Sequence, residues 1–347
     1  MQDHNTVMDG HWARRALDLA ARARVTVFGD FALDAYWAID PDESELSVET
    51  SLPVRRVRKQ YYGLGGAGNV VANLLAMGAA EVRAVGMAGD DLFGRELLAR
   101  LGDVGADTTD MLTCQEDWQT QVFAKPHLDG RERNRMDFGG FNVPSPQSIE
   151  ALASALDFAA GRSDAIVLNQ QTPAGVSTGA MIERLNAVIA RHGDKVFVID
   201  SRHRSGAYRG GLLKMNSREA ACLAGEDVDL STVISGDRAV DLARLACGRT
   251  GRPVFVTRGA DGLIVVENER VHVEAGIRID GPIDPVGAGD TVAAALAAVL
   301  GGGGEPVLAG RLANVAACVT VRKLRMTGTA APAEILTIAA HMGSERS

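Results

Sequence analysis

Residues 284–291 of this chain, Asp284-Pro-Val-Gly-Ala-Gly-Asp-Thr291, say most about its fold and chemistry. Three small residues, Gly287-Ala288-Gly289, precede the acid Asp290, and the alanine-rich run Thr291–Leu300 predicts a helix directly after it. Backbone N–H groups at a helix N-terminus can converge on one point, where the helix dipole adds positive charge. Such a nest would stabilise a phosphoryl group in transfer, and the acid beside it could accept a proton from an attacking hydroxyl. The alternative is an ordinary glycine-rich turn with Asp290 as the helix N-cap.

Five short apolar runs, each flanked by a helical pattern, surround this stretch in the sequence. They are Val25–Phe28, Val82–Gly86, Ala165–Leu168, Val196–Ile199 and Val254–Thr257. Any one of them could be a buried helix segment, but five with the same flanks favour strands. This alternation predicts an α/β fold with a mostly parallel central sheet and helices on both faces.

Two charged, alternating segments, 36–62 and 108–135, interrupt this rhythm. Strands of this type suit a small sheet with one solvated face, so we expect both segments to form a β-sheet lid outside the main sheet. We expect the whole chain, 1–347, to be one domain, and the lid to provide the contact of a homodimer.

Composition limits the possible partners. The 36 basic and 44 acidic residues give a net charge of −8, which argues against a nucleic-acid partner but not against a small anionic substrate held by a few arginines. The N-terminus lacks the pattern of a signal peptide, and no apolar run reaches the length of a membrane span. We therefore expect a cytoplasmic protein that binds neither nucleic acid nor membrane.

Three familiar motifs occur out of context. Gly63-Leu-Gly-Gly-Ala-Gly68 fits a dinucleotide-binding loop, but no buried strand precedes it, which argues against an NAD dehydrogenase. Asp137-Phe-Gly139 lacks the other protein-kinase motifs. Gly175-Val-Ser-Thr-Gly179 fits a nucleophile elbow, but it lies several residues past the strand, so helix capping by Ser177 or Thr178 is the better interpretation. No Gly-Lys dipeptide is present for a Walker A loop.

The residues from Val25 to about Thr329 resemble the PfkB, or ribokinase-like, carbohydrate kinases. Five ordered motifs carry this resemblance: Gly29-Asp30 with Asp34, Gly65–Asn69 with Asn73, Asn216-Ser-Arg-Glu219, Thr257–Gly262 and Asp284–Ala297. The resemblance implies a ribokinase-like fold and transfer of a phosphoryl group from ATP, with Mg²⁺, to a sugar hydroxyl. It also implies that Asp290 is the general base and that Gly287, Ala288 and Gly289 form the anion hole. A non-catalytic sugar or nucleotide sensor on the same fold is the alternative.

The resemblance further implies two sets of binding residues. For the nucleotide they are Asn216, Glu219, Thr257, Gly259, Gly262 and Asn314, of which Asn216 and Glu219 would also organise Mg²⁺. For the sugar or sugar phosphate they are Asp30, Asp34, Gly65, Gly66, Asn69, Arg135 and Arg202. A phosphorylated substrate needs cations, and Lys125 and Arg133 are further candidates.

Within the family the chain is most similar to heptose-7-phosphate kinases, through Ser47-Val-Glu49, Arg135–Phe138 and Ala313–Ala317. It departs from them at two places near the expected substrate. Asn169-Gln-Gln-Thr-Pro173 stands where those kinases have an Asp-Tyr-Gly-Lys type stretch, and Asp200-Ser-Arg202 stands where they have Asp-Pro-Lys. The identity of the sugar is therefore left open.

Overall fold

The computed structural model describes residues 10–42, 45–114, 118–229, 231–324 and 326–344. The elements of the first half are α1 His11–Ala20, β1 Arg24–Gly29, β2 Phe31–Ile39, β3 Val57–Gly66, α2 Ala67–Ala76, β4 Glu81–Gly89, α3 Leu92–Asp103, β5 Asp107–Cys114, β6 Gln121–Leu128, β7 Arg131–Glu132, β8 Met136–Phe138 and α4 Pro146–Ala160. Those of the second half are β9 Ala165–Gln170, α5 Gly179–Arg191, β10 Val196–Ser201, β11 Leu212–Asn216, α6 Ser217–Ala224, α7 Gly236–Thr250, β12 Val254–Thr257, β13 Gly262–Glu267, β14 Arg270–Ala275, α8 Ala288–Gly301, α9 Pro306–Thr320 and α10 Pro332–Ser344.

The main sheet has nine strands in the order β14-β13-β12-β11-β10-β9-β1-β4-β5. The seven from β12 to β5 are parallel, and β13 and β14 add an antiparallel edge. The predicted fold class is therefore confirmed, and all five predicted strands lie in this sheet. The sequence did not predict three others, β11, β13 and β14, and it assigned the residues of β5 to the lid.

Alternation along the central strands divides the core into two layers. On β9 and β10, Val167 and Val198 pack with α1, α2, α8 and α9 on one face. Ile166, Leu168 and Phe197 pack with α4, α5 and α7 on the other face. Both layers are closed because each face of a parallel sheet is covered by crossover helices.

Helix α8 lies in the middle of the first layer, and every residue from 291 to 300 is buried. A helix that is apolar on all sides belongs inside a protein, as this one does. It begins at Ala288, three residues earlier than predicted, so Asp290 lies in its first turn instead of before it. The N-terminus of a fully buried helix is thereby directed at the carboxyl ends of the strands.

The second sheet contains β3, β2, β6 and β7 in that order, with β8 also paired to β6. A small separate sheet was predicted, but the bounds of its second segment were wrong. Residues Asp107–Cys114 pair in parallel with β4 and form the edge of the main sheet. An edge strand of the main sheet has one unpaired side, and its burial is partial, which explains why it alternates like a lid strand.

The structure explains two of the sequence motifs that occur out of context, the dinucleotide-like loop at 63–68 and the elbow-like stretch at 175–179. Gly63–Gly66 ends β3, whose first residues are exposed and which pairs antiparallel with β2, so the loop lacks the buried parallel strand of a dinucleotide site. Thr178 caps α5, since its hydroxyl accepts a hydrogen bond from Met181 N at 3.3 Å. Among the described helices, none has the length and apolar character that crossing a bilayer requires.

Candidate active site

The carboxyl ends of the central strands bring a row of polar side chains together. In the register of the sheet, Gly29 on β1 lies beside Asn169 on β9, Asn169 beside Asp200 on β10, and Asp200 beside Lys214 on β11. The side chains of Asn169, Asp200 and Lys214 lie on the face of the sheet that carries Val167 and Val198, because side chains two residues apart on a strand point the same way. They therefore face the N-terminus of α8.

The carboxylate of Asp290 is held by three carboxamide side chains. Its Oδ2 accepts a hydrogen bond from Asn69 Nδ2 at 3.0 Å. Its Oδ1 accepts two longer ones, from Gln171 Nε2 at 3.4 Å and from Asn169 Nδ2 at 3.5 Å. The donors come from α2, from β9 and from the loop after β9. Three separate parts of the chain thus fix this carboxylate, and no described cation forms an ion pair with it.

Burial raises the pKa of Asp290 from its ordinary 3.8 to about 6, and the nearby Asp200 carboxylate adds to the effect. The hydrogen bond from Asn69 and the charges of Lys214 and Arg202 act in the opposite direction. Asp290 is nevertheless partly exposed. A carboxyl group with this pKa is mostly ionised at neutral pH and is a stronger base than an ordinary aspartate.

The predicted anion hole forms in part. Gly287 precedes α8 with φ of 79°, and a Cβ there would lie 2.5 Å from Asn69 Nδ2, so only glycine fits. The N–H of Ala288 is already used, because it donates to Pro285 O at 3.2 Å. No described residue accepts the N–H of Gly287 or of Gly289. Two of the three predicted donors therefore remain available to an anion at the N-terminus of α8.

The helix pair α2 and α8 is locked by a second amide. Asn73 Nδ2 donates to Asn69 Oδ1 at 3.0 Å, and Thr291 Oγ1 donates to Asn73 Oδ1 at 3.1 Å. Asn73 is fully buried and Asn69 is 1% exposed. This chain of hydrogen bonds sets the orientation of the Asn69 amide and so directs its N–H at Asp290.

Asp30 does not offer a free carboxylate to a sugar. Its oxygens accept backbone N–H bonds from Gln171 at 2.8 Å, Thr172 at 3.0 Å and Val176 at 2.9 Å. Burial raises the pKa of Asp30, and these bonds oppose the shift. Gly175 packs so closely that a Cβ there would lie 2.0 Å from Asp30 Oδ1. Asp30 therefore holds the loop that carries Gln171, and its predicted contact with substrate would require this loop to open.

Asp34 lies further along β2, where its Oδ1 is 2.7 Å from Lys125 Nζ and its Oδ2 accepts a hydrogen bond from Thr327 at 2.8 Å. Both charged side chains are almost completely buried. Gly65 leaves room beside this carboxyl group, since a Cβ there would lie 3.4 Å from Asp34 Cγ. Gly66 has φ of 54°, and a Cβ there would lie 2.4 Å from the backbone oxygen of Asp30, between β1 and β2. Lys125 is thus the partner of Asp34 and not a free cation.

Asn216 and Glu219 form a capping box at the start of α6. Asn216 Oδ1 accepts from the Glu219 N–H at 2.9 Å, and Glu219 Oε2 accepts from the Asn216 N–H at 2.8 Å. This capping box accounts by itself for the Asn216-x-x-Glu219 spacing, so the spacing alone does not require a metal. Burial raises the pKa of Glu219, and the charge of Lys214 opposes that effect. No group of three or more metal-ligating side chains occurs within the described residues.

The other predicted nucleotide residues lie beside this end of the sheet. The Thr257 hydroxyl donates to Met215 O at 3.4 Å. Gly259 has φ of 57° in an exposed turn, whereas Gly262 has φ of 92° and lies against the backbone of β14. Asn314 on α9 donates to Ala275 O at 2.9 Å. The ends of β11, β12 and β14 and one face of α9 thus border a common area.

The two predicted arginines differ in their freedom. Arg135 on the second sheet is paired with Asp137, with Nε to Oδ1 at 2.7 Å, and lies over the Phe123 ring. Arg202 follows β10, is exposed, and lowers the pKa of both Asp290 and Glu219 through its charge. Arg202 therefore faces the carboxylates at the strand ends.

The sequence reading did not assign a role to three residues of the site, Asn169, Asp200 and Lys214. Asp200 and Lys214 form an ion pair of 3.0 Å between Asp200 Oδ1 and Lys214 Nζ, with both side chains almost completely buried. A polar residue that directly ends an apolar strand was the signal for Asn169 and Asp200. For Lys214 the signal was a lysine within the apolar run 212–215.

Comparison with known proteins gives a consistent result. The model of the pfkB family of carbohydrate kinases matches residues 23–334. The bifunctional protein HldE of Rhodospirillum rubrum is 32% identical over 327 residues, which cover 92% of this chain and 63% of that protein. The chain thus spans less than two thirds of the length of this curated relative.

Two solved structures have the same fold. Phosphofructokinase-2 from Escherichia coli in complex with potassium has a TM-score of 0.72 at 17% identity, covering 92% of this chain and 99% of that chain. Ribokinase from Arabidopsis thaliana complexed with ribose and ATP has a TM-score of 0.69 at 16% identity, with the same coverages of 92% and 99%. At these identities the similarity concerns the fold.

The contact between Gly175 and Asp30 gives a first prediction. Gly175→Ala should lower the free energy of unfolding by about 1–3 kcal/mol, because the new methyl group displaces the loop and breaks its hydrogen bonds to Asp30. Urea unfolding measures this change. Gly179→Ala is the control, since a Cβ at that first residue of α5 meets nothing within 4 Å. Equal stability of the two variants would contradict the anchoring role of Asp30.

Proposed function

This chain belongs to the pfkB family of carbohydrate kinases, and we propose that it transfers the γ-phosphoryl group of ATP to a hydroxyl of a sugar or sugar phosphate, with Asp290 as general base. The observation that carries this proposal is the arrangement at the start of α8. A partly exposed carboxylate with a pKa of about 6 lies within one helical turn of two free N–H groups, those of Gly287 and Gly289.

The proposed reaction uses these groups together. Asp290 takes the proton of the acceptor hydroxyl while the hydroxyl oxygen forms a bond to the γ-phosphorus of ATP. The bond between that phosphorus and the β–γ bridging oxygen breaks at the same time, and ADP leaves. The N–H groups of Gly287 and Gly289 and the dipole of α8 stabilise the charge on the transferred group. The acceptor hydroxyl displaces Gln171 from Asp290 Oδ1, since that hydrogen bond is long and Gln171 belongs to a partly exposed loop.

The nucleotide is proposed to lie along the ends of β11, β12 and β14, beside Thr257, Gly259, Gly262 and Asn314. Asn216 and Glu219 would hold Mg²⁺ through water molecules, because their side-chain oxygens already accept hydrogen bonds within the capping box. The metal would neutralise charge on the phosphate oxygens.

The base assignment predicts the behaviour of Asp290→Asn. Turnover should fall by about 10²–10⁴-fold while ATP binding is retained, because the amide cannot accept the proton. Steady-state kinetics over a panel of sugars and sugar phosphates, with ATP titration calorimetry, measures both. Wild-type turnover in this variant would remove Asp290 from the reaction, and ATP binding without turnover in the wild-type protein would favour a sensor.

At high pH, Asp290→Asn should also be more stable than the wild-type protein. An acid whose pKa is raised on folding stabilises the fold below its unfolded pKa, and that contribution is lost as the pH rises through about 6. Asp290→Asn should therefore gain up to about 3 kcal/mol at pH 8, less any loss of its hydrogen bonds, and lose the gain below about pH 4. Urea unfolding at both pH values tests this.

Arg202 is proposed to bind the distal phosphate if the acceptor is phosphorylated, as in the heptose-phosphate kinases that the sequence resembles. Arg202→Ala should then raise the KM for the sugar phosphate about tenfold or more, the loss of one charge-assisted contact of about 1.5–3 kcal/mol, and leave the KM for ATP unchanged. Arg204→Ala is the matched control, a nearby exposed arginine whose charge is not among the main influences on the pKa of Asp290. Efficient turnover of neutral sugars and none of phosphorylated ones would contradict this substrate.

We also propose a homodimer through the second sheet. Strand β3 is an edge strand, and Val57 on β3 and Phe138 on β8 are large exposed apolar side chains. Sedimentation equilibrium should give twice the chain mass of 36.6 kDa, and Val57→Asp should shift the protein towards the monomer. Val233→Asp, at a still more exposed valine outside the sheet (92% against 48% for Val57), should leave the mass unchanged. A monomeric wild-type protein would reject the dimer.

A further inference from the structure

Asn169 connects the two carboxylates at the centre of the site. Its Nδ2 lies 3.4 Å from Asp200 Oδ2 and 3.5 Å from Asp290 Oδ1, and the residue is completely buried. Its Oδ1 has no hydrogen-bond partner among the residues that the structure describes. The opposite orientation of the amide would direct Oδ1 at both carboxylates, so the electrostatics fix the N–H side towards them.

A buried oxygen without a hydrogen bond, such as Asn169 Oδ1, costs free energy of folding. What offsets this cost is the position of the Asn169 Nδ2 group between the two carboxylates. Asp200 and Asp290 repel each other, and the Asp200 charge raises the pKa of Asp290. A donor shared by both carboxylates reduces this repulsion, because it favours the ionised form of each.

The surrounding charges do not replace this bridge. Lys214 from β11 is bound to Asp200 Oδ1, the oxygen that does not meet Asn169. Arg202 after β10 is exposed to solvent, which screens its charge. Glu219 from α6 adds negative charge beside Lys214. Asp30, at the end of β1, directs its oxygens at the loop.

We infer that Asn169 is a positioning residue whose amide separates Asp200 from Asp290 and keeps Asp290 ionised, and thus able to accept a proton, at neutral pH. The inference rests on the proposed role of Asp290 as general base. It assigns a function to one residue at which this chain departs from the heptose-phosphate kinases, in which an acid occupies the corresponding stretch. An acid at position 169 would place a third carboxylate within about 3.5 Å of the other two.

The test is Asn169→Asp, which changes the charge and almost nothing else in shape. Three carboxylates at this distance share protons, so Asp290 should ionise at a higher pH. The acidic limb of the kcat–pH profile, expected near pH 6 in the wild-type protein, should shift to higher pH by about one unit or more. Activity should recover towards the wild-type value above the new limb. A lower kcat at every pH with an unmoved limb would overturn the inference.

Asn268→Asp is the matched control, since Asn268 lies exposed in the turn between β13 and β14 and the same change there should leave the limb in place. Asn169→Leu covers the case in which the acidic variant does not fold. It removes the shared donor without adding charge, so it should move the limb in the same direction by a smaller amount. An unmoved limb in a folded Asn169→Leu protein would also overturn the inference.

A readout independent of turnover separates this inference from the proposed function. The carboxyl ¹³C shift of Asp290, assigned with Asp290→Asn, reports its ionisation directly in the substrate-free protein. If the titration of Asp290 moves up in Asn169→Asp but Asp290→Asn keeps full activity, the bridge is supported and the base assignment fails. If Asp290→Asn is inactive and the titration does not move, the base assignment stands and the bridge is rejected.

Discussion

The site depends on one constraint, the placement of an ionised carboxylate at the N-terminus of a fully buried helix. A largely buried charge needs partners, but the general base that we propose here cannot be tied up in an ion pair. Asp290 meets both conditions because its partners are amide N–H groups from Asn69, Gln171 and Asn169. Neutral donors stabilise the carboxylate and can be displaced from its oxygens, whereas a bound lysine would lower its basicity. The cost is a raised pKa and a fold that is less stable above pH 6 than it would be without this charge.

Local sequence predicted the parts of this site that are contiguous in the chain. A nest of N–H groups at 287–289, followed by a helix, is predicted by three small residues before an apolar run, although the helix begins three residues earlier than expected; the sheet is predicted by five apolar segments. Asp290, Asn69 and the glycine at 287 were all named, and the structure brings them within hydrogen-bonding reach of one another. A nest of backbone N–H groups is a local structure, so local sequence is enough to suggest it.

The rest could not be predicted because it arises from pairing between distant segments. Asn169, Asp200 and Lys214 become neighbours only through the register of three parallel strands. The donors that surround Asp30 likewise come from a loop about 140 residues away, so the sequence suggested a free carboxylate where the structure has an anchored loop. Ala288 was counted as a free donor, yet a tight turn uses its N–H. In each case hydrogen bonds within the protein decide which polar groups remain for a ligand.

The two buried ion pairs, Asp34–Lys125 and Asp200–Lys214, determine how the site treats negative charge. Each lysine is neutralised by its aspartate and almost completely buried, so neither can approach a new anion without leaving a carboxylate unpaired. The loop 169–178 contains no charged residue. Arg202 and Arg133 are thus exposed cations among the residues assigned to the acceptor side, and neither forms an ion pair within the described chain. In the reaction that we propose, discrimination between a neutral sugar and a sugar phosphate would therefore depend on an exposed guanidinium, whose reach can adjust to the length of the acceptor, while the buried groups would fix the geometry of the proton transfer.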